Sequence, residues 1–212
     1  MNNVDQELWT NEEFYNPFGP HLLRLKINED IRLKLLDSIT FFLSDHEPMN
    51  FTAGSPSLMT DIKNSIVDGK LGDIKPKWQE KYHGNIIMKT LSKVLNRYCE
   101  LANMSEVVPE ILNVWYVIMK SGDFHLIHNH TPEDKPHCKL SGAIYLDVPD
   151  NLPYPQGNIN WIVSARQKGG VISITPKLGQ VFLWPAWVMH TVYPFRSEQE
   201  RIMISFNGGW DE

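Results

Sequence analysis

Two periodicities divide the chain near Pro109. Before it, apolar residues recur at helical spacing. In "NEDIRLKLLDSITFFL" the positions Ile31, Leu35, Ser38, Ile39 and Phe42 share one face, with Asn28 as N-cap and Glu29 and Asp30 in the first turn. In "KYHGNIIMKTLSKVLNRYCELAN" a stronger stripe runs through Ile87, Leu91, Val94, Leu95, Tyr98 and Leu101. A short apolar run, "HLLRLKI" (21–27), predicts a strand ahead of the first helix, and the polar, Gly/Pro/Ser-bearing stretch 45–77 reads as a loop that could serve as a lid. Past Pro109 the period falls to two, with strand-forming runs at 111–119, 124–130, 139–148, 158–163, 170–175, 180–184, 188–194 and 200–207. Eight short strands without intervening helices predict a mainly β fold, a sandwich or jelly roll (double-stranded β-helix), with the N-terminal helices packed on one face. The expected organisation is a single domain over 1–212, with 1–108 as helix-rich support and 109–212 as the jelly-roll core.

Composition narrows the function classes. A net charge of -5, with no cluster of Lys and Arg, argues against a nucleic-acid or anionic-membrane footprint. No run of apolar residues is long enough to span a membrane, and the start "MNNVDQELWTNEE" lacks the pattern of a secretory signal. Two cysteines, Cys99 and Cys138, make no disulfide framework, so a reducing, cytoplasmic setting is expected. The aromatic share (Trp 7, Tyr 7, Phe 9) can line a pocket as readily as fill a core.

Histidine placement changes this picture. Four of the eight histidines (His125, His128, His130, His137) fall in one short stretch. On a strand, His128 and His130 point the same way and His125 the opposite way. His190, in "WVMHTVYPF", lies on a separate strand that a jelly roll can bring across to the first pair. Three ligands on one side of a metal leave its other positions open, as in a facial triad. The isolated His21, His46 and His83 read as ordinary surface or core residues.

In "ERIMISFN" alternation puts Arg201, Met203, Ser205 and Asn207 on one face and Ile202, Ile204 and Phe206 on the other. A cation inside a small barrel is costly unless an anion meets it, and a guanidinium suits a carboxylate in bidentate fashion. The plainer alternative is a surface arginine paired with Glu198 or Glu200.

Together these motifs resemble the iron(II)/2-oxoglutarate-dependent oxygenases, and more closely a family of 2-oxoglutarate/iron oxygenases known chiefly from bacterial and phage proteins. The resemblance is carried by "KSGDFHLIHNH", "LSGAIYLDVP", "GQVFLWPAWVMHTVYPF" and "ERIMISFN" in that order, over about 110–207, with a weaker echo in "FGPHLLRLKI". It implies His128 and His190 as iron ligands and Arg201 as the partner of the distal carboxylate of 2-oxoglutarate. The departure is His130, which stands where the wider superfamily has Asp or Glu; the closer family carries His-x-His, which makes His130 the third ligand. A neutral imidazole removes one negative charge from the metal, and the same trio could suit zinc. Glu133, Asp134 and His137 are nearby substitutes, and His125 is a candidate to act behind the ligands.

Other residues are weighed beside these. Ser205 could share the carboxylate of Arg201, and Tyr116 and Tyr145 could each give a hydroxyl to the cosubstrate, or each be a buried tyrosine bonded to backbone. Gly142 either leaves room for cosubstrate or marks a bulge. Trp184, Trp187 and Tyr193, flanking His190, read as core or pocket wall, and Gly157, Gly169, Gly170 and Gly179 as turn residues.

The implied reaction couples decarboxylation of 2-oxoglutarate, giving succinate and carbon dioxide, to hydroxylation of an unidentified small-molecule or peptide substrate. Two rivals stand beside it: a three-His, cupin-like metal enzyme without 2-oxoglutarate, and a non-enzymatic jelly-roll binding module. Oligomeric state is not readable from the sequence. A phage origin would place the protein in a host cytoplasm.

Overall fold

The computed structural model describes residues 8–15, 19–45, 49–50, 58–61, 84–131, 137–164 and 170–211. Strands β1 (Trp9–Tyr15) and β2 (Leu22–Ile27) lead into helix α1 (Glu29–Asp45), then β3 (Met49–Asn50), β4 (Leu58–Asp61) and helix α2 (Gly84–Leu101). Eight strands follow: β5 (Glu110–Met119), β6 (His125–His128), β7 (Cys138–Asp147), β8 (Ile159–Ile162), β9 (Val171–Ile174), β10 (Gln180–Pro185), β11 (Met189–Val192) and β12 (Arg201–Gly209). They form an eight-stranded sheet, β1-β2-β10-β7-β12-β5-β4-β3, and a four-stranded sheet, β6-β11-β8-β9, antiparallel throughout. All eight strands expected after Pro109 are present, with their ends displaced by a residue or two.

The N-terminal part departs from the expected helical support. It contributes β1 to β4, half the strands of the larger sheet. β1 escapes a period-two reading because its pairing with β2 shifts register between Thr10 and Glu13, where Asn11 adopts φ 55°. Within the stretch expected as loop, β3 and β4 pair with each other, and β4 pairs with β5. The rest of 45–77, and any lid there, lies outside the described residues.

Local chemistry explains both helices. The Asn28 side chain accepts from the Ile31 N–H at 2.9 Å, capping α1. Arg32 anchors that helix to the sheet by donating from Nη1 to the Leu146 carbonyl at 2.6 Å while it pairs with Glu29. In α2 the residues Ile87, Leu91, Val94, Leu95 and Tyr98 are all buried. No helix among the described residues is long and apolar enough to cross a membrane.

Strand alternation sorts the larger sheet into two faces. One carries Leu23, Leu25, Val114, Tyr116, Ile118, Ile144, Leu183, Ile204 and Phe206, in a buried cluster with Leu35 and Ile39 of α1 and the α2 stripe. The other carries Val117, Met119, Ala143, Tyr145, Phe182, Trp184 and Met203, in a cluster with Ile159, Trp161 and Val192 of the smaller sheet. The functional candidates lie on this second face.

Gly142 takes part in the first face. A Cβ there would stand 2.5 Å from Cζ of Phe206 and 2.9 Å from the Phe182 carbonyl oxygen, so the glycine makes room for the Phe206 ring rather than for a cosubstrate. Gly142→Ala should therefore destabilise the protein by about 1–3 kcal/mol through overpacking. Urea unfolding checks this, and Phe206→Leu in the same chain should recover part of the loss.

Candidate metal and anion site

Antiparallel pairing builds the histidine cluster. β11 lies between β6 and β8, with His190 opposite His128 on one side and opposite Trp161 on the other. Directly opposed residues share a face, so both imidazoles project between the sheets. His130 follows β6 and is tethered by its backbone N–H to the Ala186 carbonyl at 2.9 Å. One nitrogen from each of His128, His130 and His190 lies within 4.8 Å of the others. Ring centroids are 4.3 Å apart for His128 and His190 and 5.1 Å for His130 with either.

Hydrogen bonds orient two of the rings. His128 Nδ1 donates to the Leu126 carbonyl at 2.7 Å and His190 Nδ1 to the Val188 carbonyl at 3.0 Å. A carbonyl only accepts, so these bonds fix the Nδ1–H tautomer and leave the Nε2 lone pair free. The Trp115 ring stacks on His130, centroids 5.8 Å apart and 22° between planes. Burial, then repulsion from His128, pulls the His130 pKa down to about 3 and that of His190 well below the ordinary histidine value. Both imidazoles are therefore neutral near neutral pH, the form that binds a metal.

His125 is not on the opposite face. The pairing of β11 with β6 shifts register between His190 and Val192, which brings His125 opposite Val192. Two exposed residues, Leu126 and Ile127, bulge outward between the half-buried His125 and His128, whose rings come within 6.1 Å. Burial and the charges of His128 and Arg201 lower the His125 pKa to about 4. Simple alternation misses a bulge, which adds one residue to a strand.

Arg201, at the start of β12, is 1% exposed, so the surface ion pair with Glu198 or Glu200 does not form. Its Nε and Nη1 have no hydrogen-bond partner among the described residues. Its Cζ sits 5.0 Å from the Phe195 ring centroid and 5.7 Å from that of Tyr145. Burial lowers the guanidinium pKa and raises that of the Tyr145 hydroxyl to about 12, so the hydroxyl stays a donor. That hydroxyl also has no partner among the described residues, as have the indole N–H groups of Trp161 and Trp184. An edge-to-face chain of rings joins the two ends: His190 to Trp184, Trp184 to Trp161, Trp161 to Phe182 and Phe182 to Tyr145.

Three expected residues stand apart from these side chains. Tyr116 pairs with Ile204 and belongs to the helix-side cluster, on the opposite face of the sheet from Arg201, so it does not reach the site. Ser205 shares the face of Arg201 but is four residues along, about 13 Å at the rise of a strand, between Trp115 and Ala143. It cannot share a carboxylate held at the guanidinium. His137 is exposed and pairs with Asp211 at 3.0 Å, away from the trio, while Glu133 and Asp134 lie outside the described residues. Trp184 is buried wall; Trp187 and Tyr193, 54% and 41% exposed, are not. Trp115, Trp161, Phe195 and Gly157 are the site residues that strand patterning did not single out. Trp161 could have been found from its alternation with Ile159 on an inward face.

Residues 113–207 match the family described as "Putative 2OG-Fe(II) oxygenase". No curated protein matches the chain in sequence. Among solved structures, a prolyl-4-hydroxylase from Pseudomonas putida superposes with TM-score 0.64 at 12% identity, covering 90% of this chain and 93% of that one. The viral collagen prolyl hydroxylase of Paramecium Bursaria Chlorella virus-1, a 2OG complex, gives TM-score 0.59 at 12% identity over 90% of this chain and 96% of that one. The prolyl hydroxylase of Trichoplax adhaerens, bound to a hypoxia inducible factor peptide, gives 0.60 at 14% over 89% and 83%. At such identities the structures share the fold. The sequence match to that family covers the segment that carries the histidines and Arg201, and the solved structures share the fold over nearly the whole chain.

Proposed function

We propose that the protein is an Fe(II)/2-oxoglutarate-dependent dioxygenase that hydroxylates a small-molecule or peptide substrate, with the two sheets read as the halves of a jelly roll. The observation that carries the proposal is a cluster of three imidazoles in the same inter-sheet space as a buried guanidinium that lacks an anion. The donor set fits iron: imidazole nitrogen suits that metal, and ligands gathered on one side leave positions open opposite them. The orphaned Arg201 fits a carboxylate, which would give an acceptor to an N–H that has no partner among the described residues.

In this reading His128, His130 and His190 hold the metal, the first and last through Nε2. Arg201 grips the distal carboxylate of the cosubstrate, and the Tyr145 hydroxyl beside it adds a neutral donor. Bound iron(II) and 2-oxoglutarate supply the oxidation, in which one atom of dioxygen leaves in succinate as carbon dioxide is released and the other enters a substrate C–H bond. The walls of Trp161, Phe182 and Trp184 exclude water from the cosubstrate and hold it between its two anchors. Because His130 is neutral where a carboxylate would be charged, a metal held there would receive no negative charge from these three ligands.

Metal binding should raise the unfolding free energy by about 3 kcal/mol at roughly a hundred times Kd. Thermal unfolding with Ni(II) as a redox-inert probe measures this, and His190→Ala should abolish the gain. Anaerobic titration of Fe(II) followed by 2-oxoglutarate should develop a visible charge-transfer band. Arg201→Ala should keep the metal-induced stabilisation yet weaken the 2-oxoglutarate response by about a hundredfold or more, as expected when a buried charge-assisted pair is lost. Metal binding without a band would point instead to a three-imidazole enzyme that does not use 2-oxoglutarate, and no metal binding at all to a binding module.

A further inference from the structure

The turn before β8 closes over the far end of Arg201. Its Gly157 has φ +67°, and its N–H donates to the Pro194 carbonyl at 3.1 Å. The neighbouring Gln156 Oε1 accepts from the Arg196 N–H at 2.9 Å. These two bonds bind the turn to the segment carrying Phe195, whose ring covers one side of the guanidinium. A Cβ on Gly157 would overlap Nη2 of Arg201 and stand 3.3 Å from its Cζ, with Leu152 Cδ1 3.0 Å away on the other side. The bare Cα is thus the floor on which Nη2 rests, while Nε and Nη1 each lack a partner among the described residues.

We infer that Gly157 determines cosubstrate specificity: its missing side chain sets the depth of the Arg201 guanidinium, and so the length of 2-oxo diacid that spans from the three imidazoles to the cation. The inference rests on the proposed cosubstrate and deepens it. A methyl group at 157 pushes the guanidinium off its floor and away from the turn, which on this reading shortens its span to the imidazoles. The longer the diacid, the greater its loss. The effect is on the cosubstrate alone, because Gly157 touches Arg201 and the histidine ligands lie at the other end of the aromatic chain.

The test is anaerobic titration of the Fe(II)-loaded protein with oxaloacetate, 2-oxoglutarate and 2-oxoadipate. Gly157→Ala should weaken 2-oxoglutarate by about tenfold or more, since a charge-assisted contact is misplaced. Oxaloacetate should lose less and 2-oxoadipate more, with the Ni(II)-induced thermal shift retained. Gly179→Ala is the control for backbone strain: its φ of +76° is similar, but its nearest neighbour is the Ile27 carbonyl rather than the site. It should leave all three affinities unchanged. In an Arg201→Lys background, where Nη2 is gone, Gly157→Ala should cost little further, which a double-mutant cycle measures. Should Gly157→Ala not fold, Gly157→Asn makes the same comparison, because asparagine tolerates this φ and carries the same Cβ. Wild-type affinities left unaltered by a Cβ at 157 would overturn the inference while leaving the proposed function standing. A wild-type protein that binds Ni(II) but none of the diacids would overturn both.

Discussion

The site depends on one register. β11 is held between β6 and β8 so that His190 faces His128 on one side and Trp161 on the other. A slip of one residue would turn His190 outward and bring Met189 or Thr191 inward, because side chains along a regular strand alternate. Backbone ladders on both flanks make such a slip expensive, and the short-range bonds from His128 and His190 to carbonyls two residues earlier then set the ring tautomer and tilt. The bulge in β6 is part of the same construction: it lets His125 share the inner side and leaves Leu126 and Ile127 outside.

The second constraint is electrostatic. Arg201 is almost wholly buried and forms no ion pair with an acidic residue among the described residues. Burying a cation costs several kcal/mol unless it is paired, and here it is offset only by ring faces. The His130 and His190 imidazoles opposite are neutral, since burial disfavours their charged form. An inter-sheet region with one uncompensated cation, nitrogen ligand atoms and several unmet N–H and O–H donors is complementary to an anion that brings oxygen acceptors. On the proposed reading a dianionic diacid satisfies this region better than a monoacid, because the metal and the guanidinium each require a carboxylate.

Much of the fold from Pro109 onward was legible because the alternation there is regular and each strand is long enough to show it. The three histidines could be grouped for the same reason, since His128 and His130 differ by two and His190 sits in a separate strand. The Arg201 face could be read from the alternation of "RIMIS". What escaped involved departures from period or contacts between distant segments. β1 was hidden by its irregular pairing at Thr10 to Glu13, and the side of His125 by the β6 bulge. Tyr116 and Ser205 are plausible hydrogen-bond donors by residue type, yet sheet parity removes the first and strand length the second. Gly157 looked like any turn glycine because its contact with Arg201 crosses forty-four positions of chain, which no local pattern reports.

The two groups of side chains stand on different parts of the fold. His128 and His190 are carried by β6 and β11 of the smaller sheet and His130 by the segment just after β6, whereas Arg201 and Tyr145 stand on β12 and β7 of the larger. Their separation is therefore not a property of either sheet but of what keeps the sheets apart, which is the wall of Trp161, Phe182 and Trp184 in edge-to-face contact. Interiors at crystal-like packing density transmit a change of volume rather than absorb it. On the proposed reading, a side chain in this wall would govern how well one molecule reaches both anchors without touching either. Trp115 has the corresponding role at the metal end, since it extends from β5 of the larger sheet to stack on His130 and so ties the position of that imidazole to the same inter-sheet distance. On that reading, the close packing that looks like ordinary core is the measuring element of the site.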